Sequence, residues 1–403
     1  MMIKEELLHF LWRTHKLPKI GLQTTTGDYI EIISPGILNH GDGPDFSNAK
    51  IRIGDVLWVG PVEIHLKSSD WYAHKHQMDS RYDPVVLHVV LEENQPVHVL
   101  NRRLPCLEIK KFVQPELVSK YLDLQACKEN LACAPYEIEN IAESFLWMRD
   151  RLLTERLQRR LNEFRQPGLG WEALFYNLLL GALGAKANRI AFIDFARRMH
   201  WAQLNRWKNR PERIYTYMMH LSGLFEKELN HLPESALVSA YIPEPMNREL
   251  WQTRSIRPAS QPKRRILEFC SLLIQDVFTP LLESDDAFQY NEHWNLIIRS
   301  MRSGEIEQVK FSDFVMRNIA LNAIVPFAFY RGVQSGDPTW FDFALQHLED
   351  WPPEQNKIIK LYQNKSLKIR SGGDSQALLE LYNQYCIPKK CVSCAIGSTL
   401  LRA

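Results

Sequence analysis

The chain has little that would send it through a membrane or out of the cell. No apolar run in its 403 residues approaches the roughly 18 that a spanning helix needs. The opening MMIKEELLHFLWRTHKL places Glu5 and Glu6 where a signal peptide would be apolar. Net charge is also scarce, at +2, so bulk electrostatics makes no case for nucleic acid and any such case must come from local clustering. Seven cysteines in a chain this long are too few and of the wrong parity for a disulfide framework. No repeat period and no low-complexity tract occurs. These absences point to a cytoplasmic protein without a membrane anchor.

What remains is a globular composition, 45% hydrophobic and 24% charged, with 11 Trp among its aromatics, enough for more than one core. The spacing of Ile3, Leu7, Leu8, Phe10 and Leu11 predicts an amphipathic helix over 3–13. Strands are predicted at 28–34, in AKIRIG and VLWVGPVEIHLK around a Gly54-Asp55 hairpin turn, at 85–91, and more briefly at 97–100 and 106–110. The run at 85–91 is nearly all apolar, as for a strand covered on both faces. Beyond Pro115 helices dominate, notably 145–164 and a pair over 171–199 broken near Gly184. The expected class is α+β: a mixed-sheet module over 1–115 and an α-helical region over 116–403.

The chemistry concentrates in the first module. Alternate residues of a strand share a face, so Glu63, His65 and Lys67 project together while Val62, Ile64 and Leu66 face a core. Asp45 lies in the loop before the preceding strand. A carboxylate pair from neighbouring strands can hold Mg²⁺ or Mn²⁺ with positions left for water and a phosphate oxygen. His65 or Lys67 would then steady developing charge. Catalytic candidates are therefore Asp45, Glu63, His65 and Lys67, with Asp45 and Glu63 as metal ligands. Six of the 13 histidines (His40, His65, His74, His76, His88, His98) also fall in this module, and imidazole suits Zn²⁺, Mn²⁺ or Fe²⁺. In a second reading Glu63, His65, His74 and His76 bind a transition metal for hydrolysis. Against it stands the plainer expectation of exposed loop histidines at 74 and 76 and a hydrogen-bonded core histidine at 88. Trp58 and Trp71 flank the site, for packing or for stacking on a base.

Two further features stand outside this module. The tail carries Cys386, Cys391 and Cys394 as C-x4-C-x2-C, with Lys389 and Lys390 placed to favour thiolate. Zinc or an iron–sulfur cluster would need a fourth ligand from Cys127, Cys133 or a histidine. Otherwise the group is a buried reduced cluster or a redox site. Arg254, Arg257, Lys263, Arg264 and Arg265 gather five cations without an intervening acid, held extended by prolines at 258 and 262. The strip would contact phosphates of DNA or RNA, or serve as a solvated linker. The arginines of 149–165 have acids at helical spacing and read mostly as surface pairs.

Pro44-Asp45 and Glu63-Ile64-His65 resemble the acid pair of the PD-(D/E)XK nuclease superfamily, whose core runs helix, three strands, helix, strand. His65 stands at that family's lysine position, with Lys67 two residues on. Across nearly its whole length the chain also resembles an uncharacterised bacterial family, the domain of unknown function numbered 2851. The resemblance rests on GDGPDFSNAKIRIGDVLWVGPVEIHLKSSDWYAHKHQMDSRYDPVVLHVVL, the arginine-rich helix, WEALFYNLLLGALGAKAN, RPASQPKRRILEF, NIALNAIVPFAFY and CVSCAIGSTLL. It implies one functional unit and no particular activity. The first expectation is a divalent-metal-dependent nuclease or phosphodiesterase acting on nucleic acid; the alternatives are a catalytically silent nucleic-acid-binding or scaffold protein and, further, a histidine-rich metallohydrolase acting on a small molecule.

Overall fold

The first helix, α1 (Glu5–Arg13), begins with Glu5 and Glu6 and ends at Arg13, charges that complement the helix dipole. Its buried stripe is Leu7, Leu8, Phe10, Leu11 and Trp12. These coordinates are a computed structural model that describes residues 3–402 apart from His15, His40, Glu139, 227–242, Gln308 and Lys310. His40, one of the six clustered histidines, thus lies outside the described residues.

The strands are β1 (Leu22–Gln23), β2 (Tyr29–Ser34), β3 (Ile37–Leu38), β4 (Phe46–Ile53), β5 (Val56–Lys67), β6 (Leu87–Glu92), β7 (His98–Val99), β8 (Arg102–Arg103) and β9 (Cys106–Glu108). One mixed sheet runs β1-β2-β4-β5-β6-β9, with β3 also on β4, and β7 pairs β8 in a small ribbon. Strands β2, β4 and β5 are antiparallel neighbours, whereas β6 lies parallel to β5 and β9 parallel to β6. Thr25 N–H donates to the Cys106 carbonyl at 2.9 Å, joining the two edges into a nearly closed barrel. The expected hairpin turn is present: Ile53 faces Val56, and Gly54 takes φ 57, which glycine adopts without strain. A bulge shifts the β4–β5 register between Phe46 and Ala49, where Asn48 has φ 55. Such a bulge bends its strand locally, here immediately after Asp45.

The two faces of this sheet have different covers. One core joins α1, Phe46, Ile51, Val62, Ile64, Leu87 and Val89 to Leu117, Tyr121 and Leu124 of α3 (Pro115–Ala126), and to Cys391, Val392 and Leu401 of the tail. On the opposite side a smaller apolar cluster of Trp71, Tyr82, Val85, Val97, Val99 and Leu104 gathers around the connection between β5 and β6. That connection contains the short helix α2 (Asp70–Ala73) and two 3-10 turns, His76–Met78 and Ser80–Tyr82.

The chain divides into two compact units: Met1–Met148 with Asn364–Leu367 and Leu381–Ala403, and Arg149–Gln363 with Lys368–Glu380. The division falls inside α4 (Ile141–Phe164). The first unit carries the sheet. The second is helical among its described residues. At its centre Trp171–Leu183 is buried from Ala173 to Leu183 and meets Phe278 and Phe327 through Phe175. The expected break near Gly184 separates that helix from Arg189–Arg198. Of the arginines read as surface pairs, Arg151 does pair with Glu155 at 3.4 Å and Arg159 with Glu163 at 3.0 Å. Arg156 departs from that reading. It is buried, with Asn322 Oδ1 at 3.4 Å, because its position in α4 turns toward the helical core. The class is α+β, a mixed sheet followed by a mostly helical region, as the pattern of elements predicts.

Candidate metal centre

Strand β5 supplies Glu63 and His65 to the face opposite the main core, as its alternation requires. The β5–β6 connection roofs that face, leaving Glu63 4% and His65 1% exposed. Within that roof α2 ends at His74, and Lys75 follows with φ 63, a left-handed turn that starts the 3-10 turn at His76. The reversal returns His74 and His76 to the strand they follow. His65 Nε2 then lies 3.1 Å from His74 Nδ1, and the His65 and His76 rings stack at 5.3 Å between centroids. One ring nitrogen from each of His65, His74 and His76 lies within 4.8 Å of the other two, an arrangement found for no other His, Cys, Asp or Glu trio among the described residues.

Glu63 borders the trio. Its Oε1 is 3.2 Å from His76 Nε2 and 3.5 Å from His65 Nε2. The His76 nitrogen is buried and has no hydrogen-bond partner, a condition that ordinarily costs free energy and that a bound cation would relieve. Behind the trio, His65 Nδ1 lies 2.9 Å from Nε2 of His88, the residue paired with Glu63 in the β5–β6 register. The expectation of a hydrogen-bonded core histidine at 88 is met. Trp71 is fully buried with its ring against His76, Tyr82 and His88, a packing role. Trp58, half-buried, lies beneath the Arg102 guanidinium at 5.4 Å.

Asp45 and Glu63 do meet. Asp45 N–H donates to Glu63 Oε2 at 2.9 Å, and Asp45 Oδ2 accepts from Ile64 N–H at 2.9 Å. Helix α1 adds two groups that the sequence did not single out. His9 Nε2 sits 3.2 Å from Asp45 Oδ2, and the Glu5 carboxyl is held above its ordinary pKa, first by burial and then by Asp45, against the lowering effect of His74. The signal for them was the i, i+4 spacing of Glu5 and His9 on the flank of an otherwise apolar helix, which equally reads as an exposed face.

The electrostatics favour an added positive charge. Burial, then the neighbouring Asp45 carboxylate, pushes Glu63 up to about 9, and no lysine or arginine acts on it. Burial and the surrounding imidazoles lower His65 to about 2, and burial lowers His88 to about 3. His65 and His88 are therefore neutral, His65 in the form that binds metal, while a buried acid is held protonated for want of a cation. This donor set is imidazole-rich, which suits Zn²⁺, Mn²⁺ or Fe²⁺ better than Mg²⁺.

Other candidate residues fall elsewhere. Lys67, at the exposed end of β5, acts on Glu92, its register partner, and its N–H donates to Asp70. The basic segment belongs to the second unit and is not extended. Pro258–Ser260 is a 3-10 turn, and Pro262 opens the helix Pro262–Ile274, the position where proline's missing N–H costs nothing. Arg264 and Arg265 pair with Glu268, Arg265 lies over Phe311, and Lys263 lies over Phe225, while Arg254 and Arg257 are exposed. In the first unit, Cys391 and Cys394 are buried and Cys386 is half-buried. Cys127 and Cys133 are half-buried and pack against the core that contains Cys391, and Cys106 and Cys270 are buried.

No helix among the described residues is long and apolar enough to cross a membrane. No curated protein matches the chain, and no solved structure does. The family model described as "Protein of unknown function (DUF2851)" matches residues 5–357, and the chain belongs to that family.

Proposed function

We propose that the protein is a transition-metal-dependent hydrolase acting on a small molecule. His65, His74 and His76 are the metal ligands, and Glu63 is the general base beside them. The observation that carries this reading is the convergence of three ring nitrogens within 4.8 Å, with a buried carboxylate oxygen 3.2 Å from one of them. Three imidazoles leave a fourth position for water, the pattern of catalytic rather than structural zinc. A transition metal held by these three imidazoles would supply an acidified water near neutral pH. Glu63, relieved of its burial penalty by the cation, accepts the water's proton and later returns it to the leaving group. His88 fixes the His65 tautomer by accepting from Nδ1–H, which leaves Nε2 for the metal. Of the three ligands only His74 is exposed, so access is narrow. A narrow opening favours a small substrate over a polymer laid in a groove.

A divalent-metal-dependent nuclease is the second reading. It is supported by the meeting of Asp45 and Glu63 and by the order α1, β2, β4, β5, α2, β6, the order in which a PD-(D/E)XK core runs. The pairing of Arg264 and Arg265 with Glu268 weakens it, since those cations are already compensated.

The test is metal content followed by turnover. Protein purified without chelator should hold near-stoichiometric Zn, Mn or Fe, and His65→Ala and His74→Ala should each lose it. Glu63→Gln should keep the metal and lose hydrolysis of small esters, amides or phosphoesters. Metal retained by His65→Ala would sink the proposal. Cleavage of DNA or RNA with Mg²⁺ or Mn²⁺, lost in Asp45→Asn, would shift the assignment to the nuclease. Nucleic-acid binding with no turnover under any metal would favour a silent scaffold.

A further inference from the structure

In the helical unit, α4 buries a stripe of Leu152, Leu153, Leu157, Leu161 and Phe164. Within that stripe, one turn after Leu152, stands Arg156, 6% exposed. A cation buried on a core stripe normally brings its own acid. Arg156 does not. Its guanidinium offers five N–H donors, and the one hydrogen bond it makes runs from Nη2 to Asn322 Oδ1 at 3.4 Å. Asn322 is neutral and is itself tied back, its Nδ2 donating to Asn318 Oδ1 at 2.8 Å. It lies in the π-turn Ala320–Ile324, a widened turn frequently found at functional sites.

One turn further along the same face comes Arg160, whose Nε is buried without a hydrogen-bond partner. Its Nη1 reaches Glu163 Oε2 at 3.3 Å. That carboxylate is already shared. Arg159 Nη1 lies 3.0 Å from Glu163 Oε1, and Arg189 pairs with Oε2. Glu380, 1% exposed, accepts from Arg159 Nε at 3.0 Å. Four arginines (Arg156, Arg159, Arg160, Arg189) thus have two carboxylates in direct contact, Glu163 and Glu380, which leaves an excess of two positive charges.

The arginines accordingly work against one another. Burial, then Arg160 and Arg159, hold Arg156 well below the ordinary guanidinium value, and burial, then Arg159, brings Arg160 down to about 10. Glu354 and Glu380 act in the opposite sense on Arg156. Both are engaged elsewhere, Glu354 with Gln376 and Asn356, and Glu380 with Arg159. Charge and shape together decide what would complete the group. A phosphate group carries nearly two negative charges at neutral pH, and its oxygens match the guanidinium fork. A carboxylate brings only one charge, half of what the cluster lacks. The cluster meets solvent at Arg159, whose side chain is 32% exposed, so a small ligand approaches from that side.

We propose that Arg156 and Arg160 bind a phosphate group, either the free ion or the monoester of a small metabolite. Arg156 grips it from the core side, Arg160 donates the hydrogen bond its Nε lacks, and Asn322 orients the Arg156 guanidinium. Arg159 and Arg189 remain on Glu380 and Glu163 and add attraction at longer range. The site belongs to the second unit and stands whether or not the histidine centre hydrolyses anything.

The experiment is isothermal titration calorimetry of the full chain at constant ionic strength, with inorganic phosphate, glycerol 3-phosphate and succinate in turn. Both phosphates should bind at one per chain, and succinate far more weakly. Tighter binding of glycerol 3-phosphate points to a phosphorylated metabolite, and tighter binding of inorganic phosphate to the free ion. Arg156→Leu should weaken phosphate about 100-fold or more, and Arg160→Leu about 10-fold or more. Arg151→Gln, on the exposed side of the same helix, should keep wild-type affinity. Saturating phosphate should raise the melting temperature of the wild-type protein by roughly 5 °C and leave that of Arg156→Leu unchanged. Should Arg156→Leu fail to fold, Asn322→Asp replaces it. That change sets a carboxylate beside the guanidinium and should weaken phosphate about 10-fold or more. Binding of neither phosphate, succinate bound as tightly as phosphate, or full affinity in Arg156→Leu or Asn322→Asp would overturn the proposal.

Discussion

His65 Nδ1 faces His88 Nε2 at 2.9 Å in the buried layer between β5 and β6. For His65 to offer Nε2 to a metal, its proton must sit on Nδ1, and His88 is the group that accepts it. His88 then keeps its own proton on Nδ1, a buried nitrogen without a hydrogen-bond partner. Replacing His88 with leucine removes the acceptor while keeping much of the volume. Metal affinity should fall about 10- to 100-fold, the usual consequence of losing such a partner. Competition against a chromogenic chelator measures it, with circular dichroism as the check on folding. Unchanged affinity would reduce His88 to a space-filling role.

The metal-free protein should be acid-sensitive in a defined window. His65 and His88 bind protons near 6.5 when unfolded but only near about 2 and about 3 when folded. The unfolded state thus carries more protons as pH drops below 6.5, so stability rises with pH there and is lost on acidification. Each histidine contributes at most about 1.4 kcal/mol per pH unit down to its folded value. Urea denaturation of chelator-treated protein from pH 7 to pH 4 should show this slope, and His88→Leu should flatten it.

Glu63 has the opposite dependence. Its folded pKa is raised from 4.5 to about 9, so the proton it holds is lost on unfolding at any pH between those values. Stability from this group is complete below 4.5 and drains away as pH rises toward 9. At pH 8 Glu63→Gln, which stays neutral, should therefore stabilise the metal-free protein by on the order of 1–3 kcal/mol. Adding metal should remove the advantage, because the ion favours the carboxylate. A variant less stable than wild type at pH 8 without metal would contradict the charge assignment.

Gly36 turns the chain between β2 and β3 with φ +85, and a Cβ there would collide with the Ser47 carbonyl of β4. Both the conformation and the contact exclude a side chain. Gly36→Ala should cost about 2 kcal/mol or more in chemical denaturation. Because β3 and β4 flank the loop that carries Asp45, it should also weaken metal binding. A neutral result would mean that β3 moves aside without consequence.

The strands and the main helices were legible from the residues, because alternation in VLWVGPVEIHLK and the 3.6-residue stripes of α1 and α4 report local periodicity. Glu63 and His65 stood out for the same reason, as polar residues spent on a strand whose other face is core. The histidine centre as a whole was only half legible. The stretch 69–84 has no strong period, and its return over β5 depends on a left-handed residue at Lys75 that no propensity favours. His9 does not stand out because its relation to Asp45 is purely tertiary, and Lys67 lies at the exposed end of β5 beside Glu92. The basic strip failed as an extended segment. Its two prolines open a 3-10 turn and a helix, and residue-pair preferences do not separate those outcomes.

Core residues Cys391, Val392 and Leu401 come from the last part of the chain yet pack with Leu7, Phe46 and Leu117. On a ribosome, therefore, the sheet module emerges first and must wait through the synthesis of the entire helical unit before its last apolar pieces arrive. During that interval its α3-facing surface is incomplete and open to wrong partners or to chaperones. A fragment ending near Met148 should retain sheet structure and bind a hydrophobic dye, and a separately added peptide covering 381–403 should suppress that binding.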